Sequence, residues 1–141
     1  MEPSAKDRLR ERGLRVTASR IAVLESVERL GGHVDAATVA RAARAALGSV
    51  STQAVYDVLN ALTEAELLRR IEPAGSPARY ETRVGDNHHH LVCRTCGEVE
   101  DVDCVVGEAP CLEPPEDRGF AIDEAEVIFW GRCAACTAAG P

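Results

Sequence analysis

The stretch His88-His89-His90-Leu91-Val92-Cys93-Arg94-Thr95-Cys96-Gly97 contains one Cys-x-x-Cys pair, and a second pair lies at Cys133-Ala134-Ala135-Cys136. Two residues between paired cysteines allow one tight turn to direct both sulfur atoms at a single ion. Four thiolates satisfy a tetrahedral Zn²⁺ ion completely, with metal–sulfur distances of about 2.3 Å. The spacing therefore predicts one closed, structural zinc site per subunit, formed by Cys93, Cys96, Cys133 and Cys136.

Redox pairs and an iron–sulfur cluster remain open as other uses of these cysteines. A thioredoxin-like motif would be single, and a disulfide framework would need an export signal. The N-terminus shows no apolar signal segment, and no stretch approaches the roughly 18 apolar residues of a membrane span. We therefore expect a cytoplasmic protein with reduced thiols and no membrane association.

Charge is distributed unevenly along the 141 residues, whose formal net charge is −7. Residues 1–90 carry 13 Lys and Arg against 12 Asp and Glu, whereas residues 91–141 carry 3 against 11. The first twenty residues are locally basic, with Lys6, Arg8, Arg10, Arg12, Arg15 and Arg20. Such a patch is suited to phosphate contacts, and it is equally consistent with an ordinary solvated helix face.

The first half of the chain is predicted to form three amphipathic helices. Apolar residues recur at helical spacing after each of three N-cap residues, Thr17, Asp35 and Ser51. Glycines at Gly31-Gly32 and Gly48 end the first two helices. The third helix has a buried stripe formed by Val55, Leu59 and Leu62.

A hairpin is predicted after the helices, because residues 67–72 and 78–82 flank the turn-rich sequence Pro73-Ala74-Gly75-Ser76-Pro77. Three helices and a hairpin form a winged helix-turn-helix, in which the third helix enters the DNA major groove. Gln53 and Tyr56 then lie near the bases. From the hairpin, Arg69, Arg70 and Arg79 could contact backbone phosphates. Taken singly, each is consistent with an ordinary surface position, and Tyr56 with a packed one.

The second half is predicted to be a small α/β dimerisation domain. Gly85-Asp86 suggests a hinge, which divides the chain into residues 1–84 and 85–141. Strands are predicted at His88–Cys93, Val99–Asp103 and Ala125–Trp130, and prolines limit any helix between them to a short piece near residues 105–109. About fifty residues rarely bury enough apolar surface alone, so zinc and a partner subunit are expected to stabilise this domain. The fold class is therefore α+β.

Several stretches resemble the ferric uptake regulator family, namely Arg15-Val16-Thr17-Ala18-Ser19-Arg20, Ser51-Thr52-Gln53-Ala54-Val55-Tyr56 and both cysteine motifs. Residues 78–90, 101–104 and 107–112 resemble its actinobacterial FurA-type members. The resemblance implies a repressor rather than an enzyme, which binds a pseudo-palindromic double-stranded DNA operator as a homodimer. It also implies control of a catalase-peroxidase gene and of its own gene. The implied DNA contacts are Arg15, Arg20, Ser51, Thr52, Gln53, Tyr56, Arg69 and Arg70.

The family carries a regulatory metal site between its two domains, and the matching positions here are His33, Glu81, His88, His90 and Asp101. Imidazoles and carboxylates suit Fe²⁺, Mn²⁺ or Zn²⁺. We expect Fe²⁺ as the regulatory metal, with Mn²⁺ or Zn²⁺ able to replace it. Because alternate residues of a strand share a face, His88 and His90 are predicted to point together and His89 away.

Asp101 is the residue that favours a peroxide signal. An aspartate at the matching position of the peroxide-sensing branch is associated with iron-catalysed oxidation of ligand histidines, whereas iron-sensing relatives usually carry glutamate. The resemblance therefore implies that peroxide oxidises His33 or His88 and so lowers metal and DNA affinity.

A weak third metal site is less well supported by the sequence. Some family members use a histidine of the last strand for it, but the matching residue here is Ala125. His89 and Glu108 remain candidates, with the missing ligand replaced by Asp123, Glu124 or Glu126.

Cys104 and Cys111 belong to neither Cys-x-x-Cys pair. They could be thiol sensors or a disulfide, but we favour buried cysteines, because no basic residue lies close in sequence to lower their pKa.

Two other functions remain open. An iron-, zinc- or nickel-homeostasis repressor would use the same scaffold and would differ in metal-specific DNA binding. A Cys-x-x-Cys redox protein or metallochaperone would need an open zinc position or an exposed thiol of low pKa, and would leave the helix-turn-helix unexplained.

Overall fold

The computed structural model describes residues 2–140 as two compact units, the first ending at Val84 and the second beginning at Gly85. Helices and strands both contribute to the fold. In the first unit they are α1 (Ala5–Glu11), α2 (Ala18–Leu30), β1 (Val34–Asp35), α3 (Ala36–Leu47), α4 (Thr52–Glu64), β2 (Arg69–Ile71) and β3 (Arg79–Glu81). In the second they are β4 (His88–Cys93), β5 (Val99–Asp103), β6 (Ile128–Gly131) and α5 (Ala134–Ala139). Among residues 2–140, no helix is long and apolar enough to cross a membrane.

The three predicted helices are confirmed together with their caps. The side chains of Thr17, Asp35 and Ser51 accept hydrogen bonds from the backbone N–H three residues later, at 3.1, 2.8 and 3.0 Å respectively. Each bond satisfies a backbone donor that the first turn leaves without an intrahelical partner. The predicted α4 stripe is also confirmed, since Val55, Leu59 and Leu62 are fully buried against residues of α2 and α3.

The predicted hairpin is confirmed as an antiparallel β2–β3 pair, in a sheet of order β1-β3-β2. Both strands are shorter than the sequence suggests, with three residues each. The short strand β1 pairs Val34 with Tyr80 and was not predicted, because two residues carry no periodicity. Helix α1 was also not predicted as a defined element. It begins with a capping box between Ser4 and Asp7.

The second unit is a sheet of order β5-β4-β6, in which β4 is antiparallel to β5 and parallel to β6. Strand β6 begins at Ile128, so the predicted start at Ala125 is wrong. Just before β6, the Val127 carbonyl accepts a hydrogen bond from the His90 N–H at 3.3 Å, and the Val127 N–H donates to the imidazole Nδ1 of His89 at 3.3 Å.

Residues 104–127, all of which the structure describes, form neither a helix nor a strand. The short helix that the sequence allowed near residues 105–109 is therefore absent. Gly107 has a φ of 86°, outside the helical region, and Val105 and Val106 are both exposed, so no packing of this segment stabilises a helix. Helix α5, which was not among the predicted elements, begins directly after Cys133.

Candidate metal centres

The four cysteines of the two pairs converge in the second unit. Their sulfur atoms all lie within 4.8 Å of one another, and the Cys96 and Cys133 sulfurs are 3.7 Å apart. Cys93 is buried, Cys96 is exposed, and Cys133 and Cys136 are half-buried. This cluster of four thiol groups fits a tetrahedral zinc site.

Local backbone structure explains the convergence. In each pair, the N–H of the second cysteine donates to the sulfur of the first at 3.5 Å, which closes the turn. Cys93 ends β4 opposite Gly131, the last residue of β6. The parallel pairing therefore brings the C-terminal ends of these two strands, and the cysteine pair that follows or ends each strand, side by side. The Cys133 N–H then donates to the Cys93 sulfur at 3.3 Å and links the two turns.

The thiols of this cluster differ in acidity. The hydrogen bond from the Cys133 backbone N–H lowers the pKa of Cys93 to about 6. The neighbouring Cys133 sulfur raises the pKa of Cys136 to about 12. Without a cation, adjacent thiolates repel one another, so the cluster cannot ionise fully. A divalent cation removes that repulsion and favours four thiolates, which is the donor set of a closed structural site.

A histidine and a glutamate meet in the first unit. His33 lies between α2 and β1, Glu81 ends β3, and the pairing of Val34 with Tyr80 holds the two segments together. The His33 Nε2 is 2.7 Å from a Glu81 carboxylate oxygen, and the two side chains are 5% and 3% exposed. A buried imidazole–carboxylate pair of this kind offers one nitrogen and one oxygen ligand to a metal.

A second imidazole–carboxylate group lies in the second unit. One carboxylate oxygen of Asp101 is 3.3 Å from the Nε2 of His88 and 3.3 Å from the Nε2 of His90. Both histidine side chains are fully buried, whereas Asp101 is 27% exposed. The register explains this geometry, because His90 pairs with Asp101 across β4 and β5 and His88 shares its face. Two nitrogens and one oxygen thus converge as hard-to-intermediate ligands.

Asp86, which the sequence predicts only as part of a hinge, lies beside the His88 ring. Its carboxylate is 2.7 Å from the Nδ1 of His88. A carboxylate in that position fixes a proton on Nδ1 and leaves the Nε2 lone pair facing Asp101. A carboxylate two residues before a histidine was the available signal, and only the fold shows that the two side chains meet.

His89 points away from His88 and His90, as the strand alternation predicts. Its Nε2 is 3.2 Å from the sulfur of Cys111. Cys104 and Cys111 are both half-buried, so the interpretation of these residues as buried cysteines is wrong. A hydrogen bond from the backbone N–H of Gly107 lowers the pKa of Cys104, although no basic residue lies close to it in the sequence. The backbone carbonyl of Glu108 accepts a hydrogen bond from Asn87 at 3.2 Å.

The DNA contacts predicted on α4 lie on its exposed side, where Tyr56 is 42% exposed. The Gln53 amide donates to Asp57 at 2.9 Å, and Arg44 donates to the Thr52 hydroxyl at 2.8 Å. Ser51 is the N-cap, so its hydroxyl is engaged with the helix backbone.

Four of the five arginines predicted to contact DNA, namely Arg15, Arg20, Arg69 and Arg70, differ in their surroundings. Arg20 donates to the backbone carbonyl of Arg15 at 2.8 Å. On the hairpin, Arg70 is exposed and forms an ion pair with Glu72 at 2.9 Å, while Arg69 is half-buried in β2. Exposed pairs of this kind contribute little to stability, so Arg70 remains able to exchange its partner for a phosphate.

A mostly helical unit, followed by a small sheet with four clustered cysteines and with imidazole–carboxylate groups suited to metal, fits the class of metal-binding regulators. The model of the ferric uptake regulator family matches residues 11–130, and the chain belongs to this family. The family resemblance predicted from the motifs is thus confirmed.

Named relatives agree with this assignment. The chain is 58% identical over 135 residues to the transcriptional regulator FurA of Mycobacterium tuberculosis, covering 96% of this chain and 91% of the relative. It is 61% identical over 122 residues to ferric uptake regulation protein 1 of Mycolicibacterium fortuitum, covering 86% and 75% respectively. The chain is therefore a FurA-like transcriptional regulator and, as predicted, not an enzyme.

Solved structures share the fold. The ferric uptake regulator of Pseudomonas aeruginosa with manganese superposes with a TM-score of 0.68 at 26% identity, covering 94% of this chain and 99% of that one. A zinc uptake regulator complexed with zinc and DNA has a TM-score of 0.68 at 23% identity, covering 96% and 91% respectively. The α+β fold class predicted from the sequence is therefore confirmed.

Proposed function

We propose that this chain is a metal-dependent transcriptional repressor that uses Fe²⁺ as its regulatory metal and responds to peroxide. Its targets in this proposal are a catalase-peroxidase gene and its own gene. The observation that carries the proposal is the Asp101 carboxylate oxygen at 3.3 Å from both the His88 and the His90 Nε2. This group combines the aspartate typical of peroxide-sensing relatives with the histidines that oxidation would modify.

Neither imidazole–carboxylate group is a complete regulatory site alone. The first unit offers two ligands and the second offers three, whereas Fe²⁺ and Mn²⁺ generally take five or six. We propose that one ion binds His33, Glu81, His88, His90 and Asp101. Because its ligands come from both units, occupancy would favour one arrangement of the DNA-binding and dimerisation domains. Metal and operator affinities would then be linked reciprocally.

The ligand residues would hold Fe²⁺ where it could activate hydrogen peroxide beside the rings of His33 and His88. Peroxide would be the two-electron oxidant: one of its oxygen atoms would be inserted into a ring C–H bond of His33 or His88, and the other would leave as water. The protein positions these rings for that event. Asp86 orients the His88 ring through Nδ1, and Asp101 holds a negative charge beside Nε2. An oxidised ring is a poorer ligand, so metal affinity falls, and operator affinity falls with it.

Replacing Asp86 with alanine is expected to weaken Fe²⁺ or Mn²⁺ binding about 10–100-fold, the usual effect of losing the hydrogen-bond partner of a ligand histidine. Isothermal titration with Mn²⁺ measures this effect without oxidation. Glu100→Ala is the matched control, because Glu100 is exposed and pairs opposite Leu91 rather than a histidine. Equal Mn²⁺ affinity in both variants would exclude the orienting role of Asp86.

For DNA, we propose that a homodimer binds a pseudo-palindromic operator with α4 in the major groove of each half-site. A winged helix-turn-helix presents its recognition helix in this way, and that helix is α4 here, the third of the three helices predicted from the sequence. The exposed α4 residues Thr52, Gln53 and Tyr56 support the assignment. Arg15, Arg20, Arg69 and Arg70 would contact phosphates, and Ser51 would fix the start of the helix. Gln53 must exchange its hydrogen bond with Asp57 for a base edge.

Two substitutions separate base recognition from phosphate contact. Gln53→Ala is expected to cost about 1–3 kcal/mol on the operator and to leave binding to unrelated DNA almost unchanged. Arg70→Ala is expected to weaken both DNAs similarly and to reduce the slope of log affinity against log salt by about 1. Fluorescence anisotropy on both DNAs across a salt series measures this. The same loss of operator preference in both variants would contradict the assigned roles.

The experiment that tests the function as a whole is a gel shift on the promoter of the chain's own gene. The protein is expected to retard this DNA under anaerobic conditions with Fe²⁺, and to release it after peroxide. With Mn²⁺ the shift is expected to resist peroxide, because Mn²⁺ does not support the same oxidation. Binding that needs Zn²⁺ or Ni²⁺ and ignores peroxide would identify a homeostasis regulator instead.

A further inference from the structure

A third group of ligand-type side chains lies in the second unit, on the face of β4 opposite His88 and His90. It consists of His89, Cys104 and Cys111, whose nearest ligand atoms all lie within 4.8 Å of one another. His89 is only 5% exposed, and its Nε2 is 3.2 Å from the Cys111 sulfur. Both cysteines are free thiols and separate from the four-cysteine cluster.

We propose that His89, Cys104 and Cys111 form a second thiolate metal site, which binds a borderline or soft divalent cation such as Zn²⁺. One imidazole and two thiolates are ligands that zinc prefers, and three protein ligands leave a fourth position for water. Around a tetrahedral zinc, nitrogen and sulfur ligands lie about 3.5 Å apart. The His89 Nε2 and the Cys111 sulfur, now 3.2 Å apart, therefore have to separate by only about 0.3 Å, and all three ligand atoms already lie within 4.8 Å of one another. This ligand set differs from the weak third site expected from the sequence, which would pair His89 with the Glu108 carboxylate. Here both ligands added to His89 are sulfur atoms.

Metal binding requires a change of protonation at His89. Its Nδ1 accepts the Val127 N–H at 3.3 Å, so the neutral ring carries its proton on Nε2, directed at Cys111. A metal at Nε2 takes the place of that proton, the ring becomes protonated on Nδ1, and the thiols of Cys104 and Cys111 release theirs. The Val127 hydrogen bond is then lost. A single long hydrogen bond between neutral groups contributes far less than coordination by two thiolates and an imidazole.

The site would organise the irregular part of the second unit. Cys104 directly follows β5, and Cys111 lies inside residues 104–127, which the structure describes without a helix or strand. Segments of this length without secondary structure are uncommon in compact domains unless they are functional or held by other means. A metal shared by His89 and the two cysteines would attach this segment to β4.

Cobalt spectroscopy can distinguish this site from the other two metal groups. The four-cysteine cluster is first filled with one zinc per chain, and the group around Asp101 contains no cysteine. A thiolate-to-cobalt charge-transfer band in full-length protein titrated with Co²⁺, under a reductant that does not bind metals, therefore reports on Cys104 and Cys111. We expect the band in the unmodified chain and in the Asp101→Ala control.

The double variant Cys104→Ser with Cys111→Ser is expected to lose the band while retaining one zinc per chain, which shows that the four-cysteine cluster is intact. His89→Ala is expected to retain a band that needs at least about tenfold more Co²⁺. No band in the unmodified chain would overturn the proposal. A band of unchanged intensity in the double variant would also overturn it, because Co²⁺ would then be displacing zinc from the four-cysteine cluster.

Discussion

Replacing Cys93 with serine is expected to unfold the second unit and leave the first folded. Structural zinc in small domains contributes apparent free energies of about 10–16 kcal/mol at pH 7, whereas a whole domain is typically stable by about 5–15 kcal/mol. The apolar core of this unit is small, since its buried apolar residues among those described are Val92, Cys93 and Val99. Cys93 also joins the two turns, because its sulfur accepts the Cys133 N–H.

Zinc analysis combined with hydrogen exchange measures this effect region by region. The amides of β4 and β6 are expected to lose protection in Cys93→Ser, and those of α2 and α4 to keep it. Thr95→Ala is the control, because Thr95 is exposed in the same turn and contributes no sulfur. Intact zinc and protected β4 amides in the serine variant would show that the four cysteines do not stabilise this unit.

Replacing Asp101 with alanine is expected to abolish metal-dependent operator binding. Its carboxylate oxygen faces both His88 and His90, so the substitution removes a ligand and leaves two imidazoles without their shared partner. Loss of a direct ligand should exceed the about 10–100-fold effect of losing an outer partner. Because metal and operator binding are linked, operator affinity with Fe²⁺ should fall to the value of the metal-free chain.

Fluorescence anisotropy on the operator under anaerobic conditions, with and without Fe²⁺, provides the measurement. Glu100→Ala is again the control, since it removes a neighbouring β5 carboxylate that pairs opposite Leu91. Asp101→Glu keeps a carboxylate, so it should still bind the operator with Fe²⁺ but respond less to peroxide. Unchanged Fe²⁺-dependent binding in Asp101→Ala would mean that the regulatory metal lies elsewhere.

Features set by short-range chemistry could be predicted from the sequence. The helix caps Thr17, Asp35 and Ser51 act on amides three residues away, so a local pattern identifies them. The alternation of a strand likewise placed His88 and His90 on one face and His89 on the other. The Cys-x-x-Cys spacing predicted that each turn directs two sulfurs at one metal, and all four sulfurs do cluster. The meeting of the two turns depends on the pairing of β4 with β6.

Features that depend on distant pairing could not be predicted in this way. The parallel alignment of β4 with β6 joins segments separated by a long irregular stretch whose course has no periodic signal. For the same reason, the meeting of His89 with Cys104 and Cys111 could not be predicted. The contact of Asp86 with His88 could not be predicted, because it depends on the orientation of the His88 ring.

The most direct test of peroxide sensing by metal-catalysed oxidation is mass spectrometry of the Fe²⁺-loaded chain after peroxide treatment, with operator binding measured on the same samples. We predict one added oxygen atom on the peptide containing His33 or His88, increasing in step with the loss of operator binding. The Mn²⁺-loaded chain should show neither change. Loss of operator binding with no oxygen on either histidine peptide would contradict this mechanism.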